Sequence, residues 1–358
     1  MTKPMVLLPA LTILLLTCSW AAAQDAPTVD QLAGLPTGAA VSAAAKKTVA
    51  DYIDHWLDVL TKANAATTVI GARKMLDQGY TVLPSTSLKY EYAKHYAAKV
   101  AAALNLAGDP LKVIKETSAA MVAARMEQIT IQPALDLMAA HANPAVRYWA
   151  AKGFRTAGPQ LLAQEPYAGK MLATLDKTGA AETSGPVAAA VLHAASGYRD
   201  VSGDSATKLR AVLAKVWLAR CQEVYQGNLE MIAAIQKAST RLTRATQAAE
   251  KTALQVLIDA MEAASLGLVK AAARQDEDVC EALGELLRGL EDRLAKTAGL
   301  SERAVGAALK SQGGWGLKAA RIRLAVNKLK AWLAANRAIK PRFKPAAPRT
   351  QPTTKSAG

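Results

Sequence analysis

Three times in this chain a residue suited to the edge of a helix is followed directly by proline: Asp109-Pro110, Asn143-Pro144 and Gly185-Pro186. The central copy is the clearest. Asparagine at an N-cap accepts an orphan amide of the first turn, and proline at the next position forfeits no hydrogen bond, so a helix is predicted to start at Pro144. Val146, Trp149, Ala150, Gly153 and Phe154 then recur at three- and four-residue spacing and share one face, whereas Tyr148, Lys152 and Arg155 share another. The apolar stretch Pro133 to Ala140 lies just upstream, across a link short enough to demand an antiparallel neighbour. Such a pair cannot bury its apolar face alone. The separations of the three prolines, 34 and 42 residues, fall in the range of helical-hairpin repeats.

This unit resembles a HEAT repeat: an apolar first helix containing Pro133, a turn ending in Asn143-Pro144, and a second helix opening Val146-Arg147 with small residues Ala150 and Ala151. The resemblance implies an all-α chain folded as a right-handed α-α superhelix of the HEAT or armadillo type, with additional C-terminal helices. In that family the second helices line a concave face, which would turn Tyr148, Lys152 and Arg155 toward a protein partner; tyrosine and arginine are enriched at interaction hot spots. The family's turn also carries an aspartate that ties neighbouring repeats through the arginine of the second helix. Here Asn143 holds that turn position and Arg147 alone matches, while the copy at Pro186 has alanine in place of the arginine.

Composition agrees with the class. Of the 358 residues, 51% are hydrophobic but only 5% aromatic, so close-packed alanine-rich helices are expected to form the core. Residues 1–23 read as an export signal: Lys3 at the start, an apolar run from Val6 to Thr17, and Ala21-Ala22-Ala23 before Gln24. A retained anchor is the rival reading, although the run is short for a bilayer core of roughly 30 Å and Pro9 interrupts it. Cys18 raises lipidation, against which stands the bulk of Thr17. Residues 24–41 read as a flexible linker, 42–203 as HEAT-like repeats, 204–300 as further repeats or a bundle, 301–340 as a basic amphipathic region, and 341–358 as a disordered proline-rich basic tail. Export to the periplasm or beyond is the expected location.

Charge is concentrated at the end of the chain. From Arg303 onward there are thirteen Lys or Arg and no Asp or Glu, against a whole-chain net charge of +15. Leu317 to Ile339 reads as a helix with Ile322, Val326, Leu329, Trp332 and Leu333 on one side and Arg323, Lys330 and Arg337 on the other. Arg323, Lys330, Trp332 and Arg337 are therefore the candidates for contact with anionic lipid or envelope polymer. Export makes nucleic acid an unexpected physiological partner.

Material for catalysis is sparse. Asp51, His55 and Asp58 share a helix face at metal-compatible spacing, yet opposite the stripe of Val49, Ile53 and Trp56, where a solvated acidic face is expected instead. His95 stands four residues from Glu91, and His193 sits in an apolar helix. Cys221 and Cys280 would be free to pair in an oxidising compartment or to serve as small buried side chains. No phosphate loop, nucleophile elbow, Cys-x-x-Cys or His-Glu-x-x-His pattern occurs. No cofactor is expected, and the reading is a non-catalytic scaffold.

Overall fold

The computed structural model describes residues 26–38, 40–196, 203–240 and 247–346. The expected export signal, Cys18, Pro348 and Pro352 lie outside the described residues. All regular structure among them is helical, in fifteen α-helices and one short 3-10 turn. None of these helices is long and apolar enough to cross a membrane. Two compact units divide the chain between Ala134 and Leu135.

The N-terminal unit holds α1 (Val29–Ala33), α2 (Ala43–Lys62), α3 (Ala66–Val82), α4 (Thr86–Ala103), α5 (Lys112–Ala123) and the 3-10 turn Ile129–Ile131. Ser42 and Ser85 cap α2 and α4 through their hydroxyls. Helices one apart in sequence pack together, α2 against α4 and α3 against both α1 and α5. Three tyrosines fasten this core. The buried hydroxyls of Tyr52, Tyr92 and Tyr96 donate to the carbonyls of Met75, Leu76 and Ala119 at 2.6, 2.9 and 2.8 Å. Burial raises all three phenols above the ordinary tyrosine range, so each stays a neutral donor.

Two expectations change here. The lead-in from Gln24 to Ala40 contains α1, closed by a reciprocal capping box between Thr28 and Gln31 and anchored by fully buried Leu32. A lone leucine carries no periodicity, which is why the stretch reads as a linker. At the first proline, the helix begins at Lys112 rather than Pro110, because Asp109 accepts from the Leu111 amide and from Lys115 Nζ. Lys115 in turn donates to Thr61 O at the C-terminal end of α2.

Gly79 marks the closest approach in this unit. A Cβ there would lie 2.4 Å from Tyr52 Cε1 and 3.1 Å from Leu32 Cδ1. Both neighbours are fully buried and the Tyr52 ring is held by its hydroxyl. Gly79→Ala is expected to cost about 1–3 kcal/mol, read as a lowered midpoint of urea unfolding. An unchanged midpoint would mean that the ring moves aside freely.

The C-terminal unit begins within α6 (Gln132–Ala139) and continues through α7 (Pro144–Leu162), α8 (Glu165–Ala181), α9 (Gly185–Ser196), α10 (Gly203–Gln226), α11 (Leu229–Ser239), α12 (Gln247–Ala273), α13 (Glu277–Ala298), α14 (Ala304–Lys310) and α15 (Trp315–Arg337). Asn143 caps α7 as expected, its Oδ1 accepting from the Ala145 amide at 2.9 Å with Pro144 in the first turn. Alternate helices again pack together. One row runs α7, α9, α11, α13 and the other α8, α10, α12, α15. From Ala253 to Leu268, α12 is buried nearly all round, as a helix enclosed by neighbours must be.

The basic extension belongs to this body. Ile322, Val326 and Leu333 of α15 are buried against it, and so are Ile339 and Phe343 beyond the helix. Although its prolines do exclude regular structure, the segment from Ala338 to Ala346 is docked where a disordered tail was expected to begin at Pro341. Cys221 and Cys280 are buried and free, and burial pushes both thiols up.

Candidate interaction surface

Helix α7 contains no Asp or Glu, and neither does α9. The Glu230 carboxylate of α11 is already occupied, since its Oε2 accepts from the Gly185 amide at 2.9 Å. These three helices are consecutive members of one row, so their outward residues form a shared surface with little negative charge. Tyr148, Lys152, Pro186, Ala190, His193 and Lys237 meet there around a depression of about 30 Å³. That volume holds no more than a water or two, which is too little for a small-molecule ligand.

The aromatic and cationic groups at this face are ordered by one another. Tyr148 packs edge-on against Trp149 with centroids 5.5 Å apart, and Lys152 Nζ stands 5.8 Å from the Tyr148 ring centre. Among the described residues Lys152 and Lys237 form no ion pair. Of the three residues expected here, Tyr148 and Lys152 are brought together; Arg155 is half-buried on α7 and does not line the depression. Trp149 is half-buried too, and Ala151 fills the buried position beside Ala150. Lys237 was not expected. It lies about ninety residues from Tyr148 along the chain, and periodicity carries no signal over such a distance.

What holds the row in register is a buried carboxylate in the turn between α8 and α9. Glu182 accepts from Arg147 Nε and Nη2 at 2.8 and 2.9 Å and from the amides of Thr183 and Ser184 at 3.0 and 2.8 Å. Arg147 Nη1 donates in addition to His141 O and Ala142 O. Arg220 of α10 closes the group by donating to Glu182 O and Ala180 O. Burial alone would raise the Glu182 carboxyl, but these donors outweigh it and hold the group below the usual glutamate range. Sequence reading missed Glu182; the available signal was that no other acid occurs between Asp176 and Asp200.

A larger concavity of about 340 Å³ opens near this turn, with Asp136, Thr174, Lys177 and the Arg147–Glu182 pair among its walls. Its carboxylates are already engaged, Asp136 by the Thr174 hydroxyl at 2.7 Å and Glu182 as above. On the face of Asp51, His55 and Asp58, Asp51 pairs with Lys47 and Asp58 with Lys62, while His55 rests edge-on against Trp56. No group of three metal-capable side chains occurs among the described residues. His95 turns to Asp54 at 2.9 Å rather than to Glu91, which pairs with Lys46.

The four residues expected to meet an anionic surface divide differently. Arg323 binds both oxygens of Glu262 at 2.7 and 2.8 Å and also Ser265, and Lys330 Nζ reaches Glu262 at 2.9 Å. Both cations are thereby turned inward, because Glu262 is an acid in a buried helix that requires compensation. Trp332 is half-buried, and Arg337 is exposed while donating to Ala298 O.

Comparison with protein-family models, curated proteins and solved structures returns no match. The class is thus defined by the molecule itself: among the described residues it is an all-helical protein of packed helices, with an aromatic and cationic cluster on alternate helices of one row.

Proposed function

We propose that this chain is an exported, non-catalytic interaction scaffold of stacked HEAT-like hairpins, wound as a right-handed α-α superhelix, which grips a protein partner through the face of α7, α9 and α11. The observation that carries the reading is the assembly of Tyr148 and Lys152 from α7 with Lys237 from α11, on a surface poor in negative charge. An amphipathic aromatic beside unpaired cations suits an acidic or mixed protein surface, and such anchors carry most of the energy of an interface. The Arg147–Glu182 pair supports the HEAT-like part: a turn carboxylate joined to the arginine of a preceding second helix is the tie that family uses, with the acid standing here in the following turn.

The test is capture from envelope extract at high salt by the full chain and by a Tyr148→Ala, Lys152→Gln, Lys237→Gln variant. Wild type is expected to retain a discrete protein, and the variant to bind it at least tenfold more weakly, as loss of a hot-spot anchor implies, with an unaltered unfolding midpoint. Equal capture by both forms would remove this face from the function.

A further inference from the structure

Helix α15 carries six cations and no carboxylate, and the fold turns two of those cations inward and leaves two others on the outward side. Arg323 and Lys330 are spent on Glu262. Arg321 and Lys328 are left on the outward side, where Arg321 touches only the carbonyl of Gln312 and Lys328 forms no ion pair among the described residues. Leu317 and Leu324 alternate with them, 48% and 58% exposed. The spacing 317, 321, 324, 328 is that of a single helical stripe, directly opposite the buried Ile322, Val326 and Leu333.

A solvated face accounts for the cations but gives the leucines nothing to do. A soluble polyanion does the same. A bilayer surface uses both kinds of side chain, because leucines enter the layer beneath the headgroups while Arg and Lys reach the phosphates on long stems. We propose that the Leu317, Arg321, Leu324, Lys328 stripe docks α15 flat on an anionic phospholipid surface. This site replaces Arg323 and Lys330, whose charges are internal, and it is independent of the α7, α9 and α11 face.

The experiment is vesicle flotation of the full chain with phosphatidylcholine alone and with added phosphatidylglycerol. Wild type is expected to float only with the anionic vesicles. Arg321→Gln with Lys328→Gln should weaken partitioning about 30-fold, at roughly fivefold per cation. Leu317→Ser with Leu324→Ser should weaken it about tenfold, from two leucines that enter the layer by about half their surface. All four positions are exposed, so unfolding midpoints should hold, and Lys152→Gln with Lys237→Gln should float as wild type. Unchanged flotation of the leucine variant, with release by soluble dextran sulfate, would make the stripe a polyanion contact and overturn the proposal. Equal flotation with neutral vesicles, or none with anionic ones, would overturn it as well.

Discussion

Glu182→Ala is expected to destabilise the C-terminal unit by about 3 kcal/mol, the lower end of the range for removing one partner of a buried ion pair. The lower end applies because the Arg147 side chain keeps 19% of its surface in water, although Glu182 keeps 1%. The variant leaves the guanidinium without its bidentate acceptor and strips the Thr183 and Ser184 amides of theirs. Glu182→Gln retains one acceptor and should cost less than the alanine. Urea unfolding followed by circular dichroism measures both, and an alanine midpoint equal to wild type would show that the turn is not held by this carboxylate. The same group makes a pH prediction. Because the Glu182 and Glu262 carboxyls are held below the ordinary range in the folded protein, the unfolded chain takes up protons first as the pH falls. Their contribution is complete above the unfolded glutamate value of about 4.3 and disappears as the pH drops below it through the folded values. Acid unfolding of Glu182→Ala should therefore be the flatter of the two curves.

Asp259→Ala is expected to release the C-terminal segment and to cost about 2–4 kcal/mol, from several charge-assisted hydrogen bonds lost together. Asp259 is fully buried on α12. Its Oδ1 accepts from the amides of Arg342 and Phe343 at 2.5 and 3.2 Å, and its Oδ2 from the Arg342 guanidinium at 2.8 and 3.1 Å. Gln255 adds a bond to Lys340 O, and Phe343 lies 6.1 Å from the Tyr225 ring. Arg342→Gln should cost far less, since that side chain is 41% exposed and water can solvate what remains. Limited trypsin digestion reads the release directly: cleavage after Arg342, the one cation of this segment not followed by proline, should be slow in wild type and fast in Asp259→Ala. Equal cleavage rates would mean that the segment is held by its apolar side chains alone.

Part of the candidate surface was legible from residues. Asn143-Pro144 announced α7, and the spacing within that helix separated Tyr148 and Lys152 from the buried face of Val146, Ala150 and Phe154. Arg155 falls outside the depression because helical spacing gives an angle around one axis and no account of which neighbouring helix passes nearby. Lys237 could not be found at all by such reasoning. The tail was misread for a related reason. Thirteen cations without an acid look like a solvated segment when counted along the chain, and the acids that engage Arg323, Lys330 and Arg342 lie on α12, where Asp259 and Glu262 interrupt an otherwise apolar run.

Local chemistry acts within about one helical turn, through caps, prolines and side-chain spacing. The sequence by itself therefore determined that this chain is helical, where several of its helices start, and which sides of them are apolar. Only the tertiary structure decided which charges remain available to a partner. An ion pair forms between groups that packing brings within about 4 Å, and Arg147 with Glu182, Glu262 with Arg323, and Asp259 with Arg342 are joined across 35, 61 and 83 residues of chain.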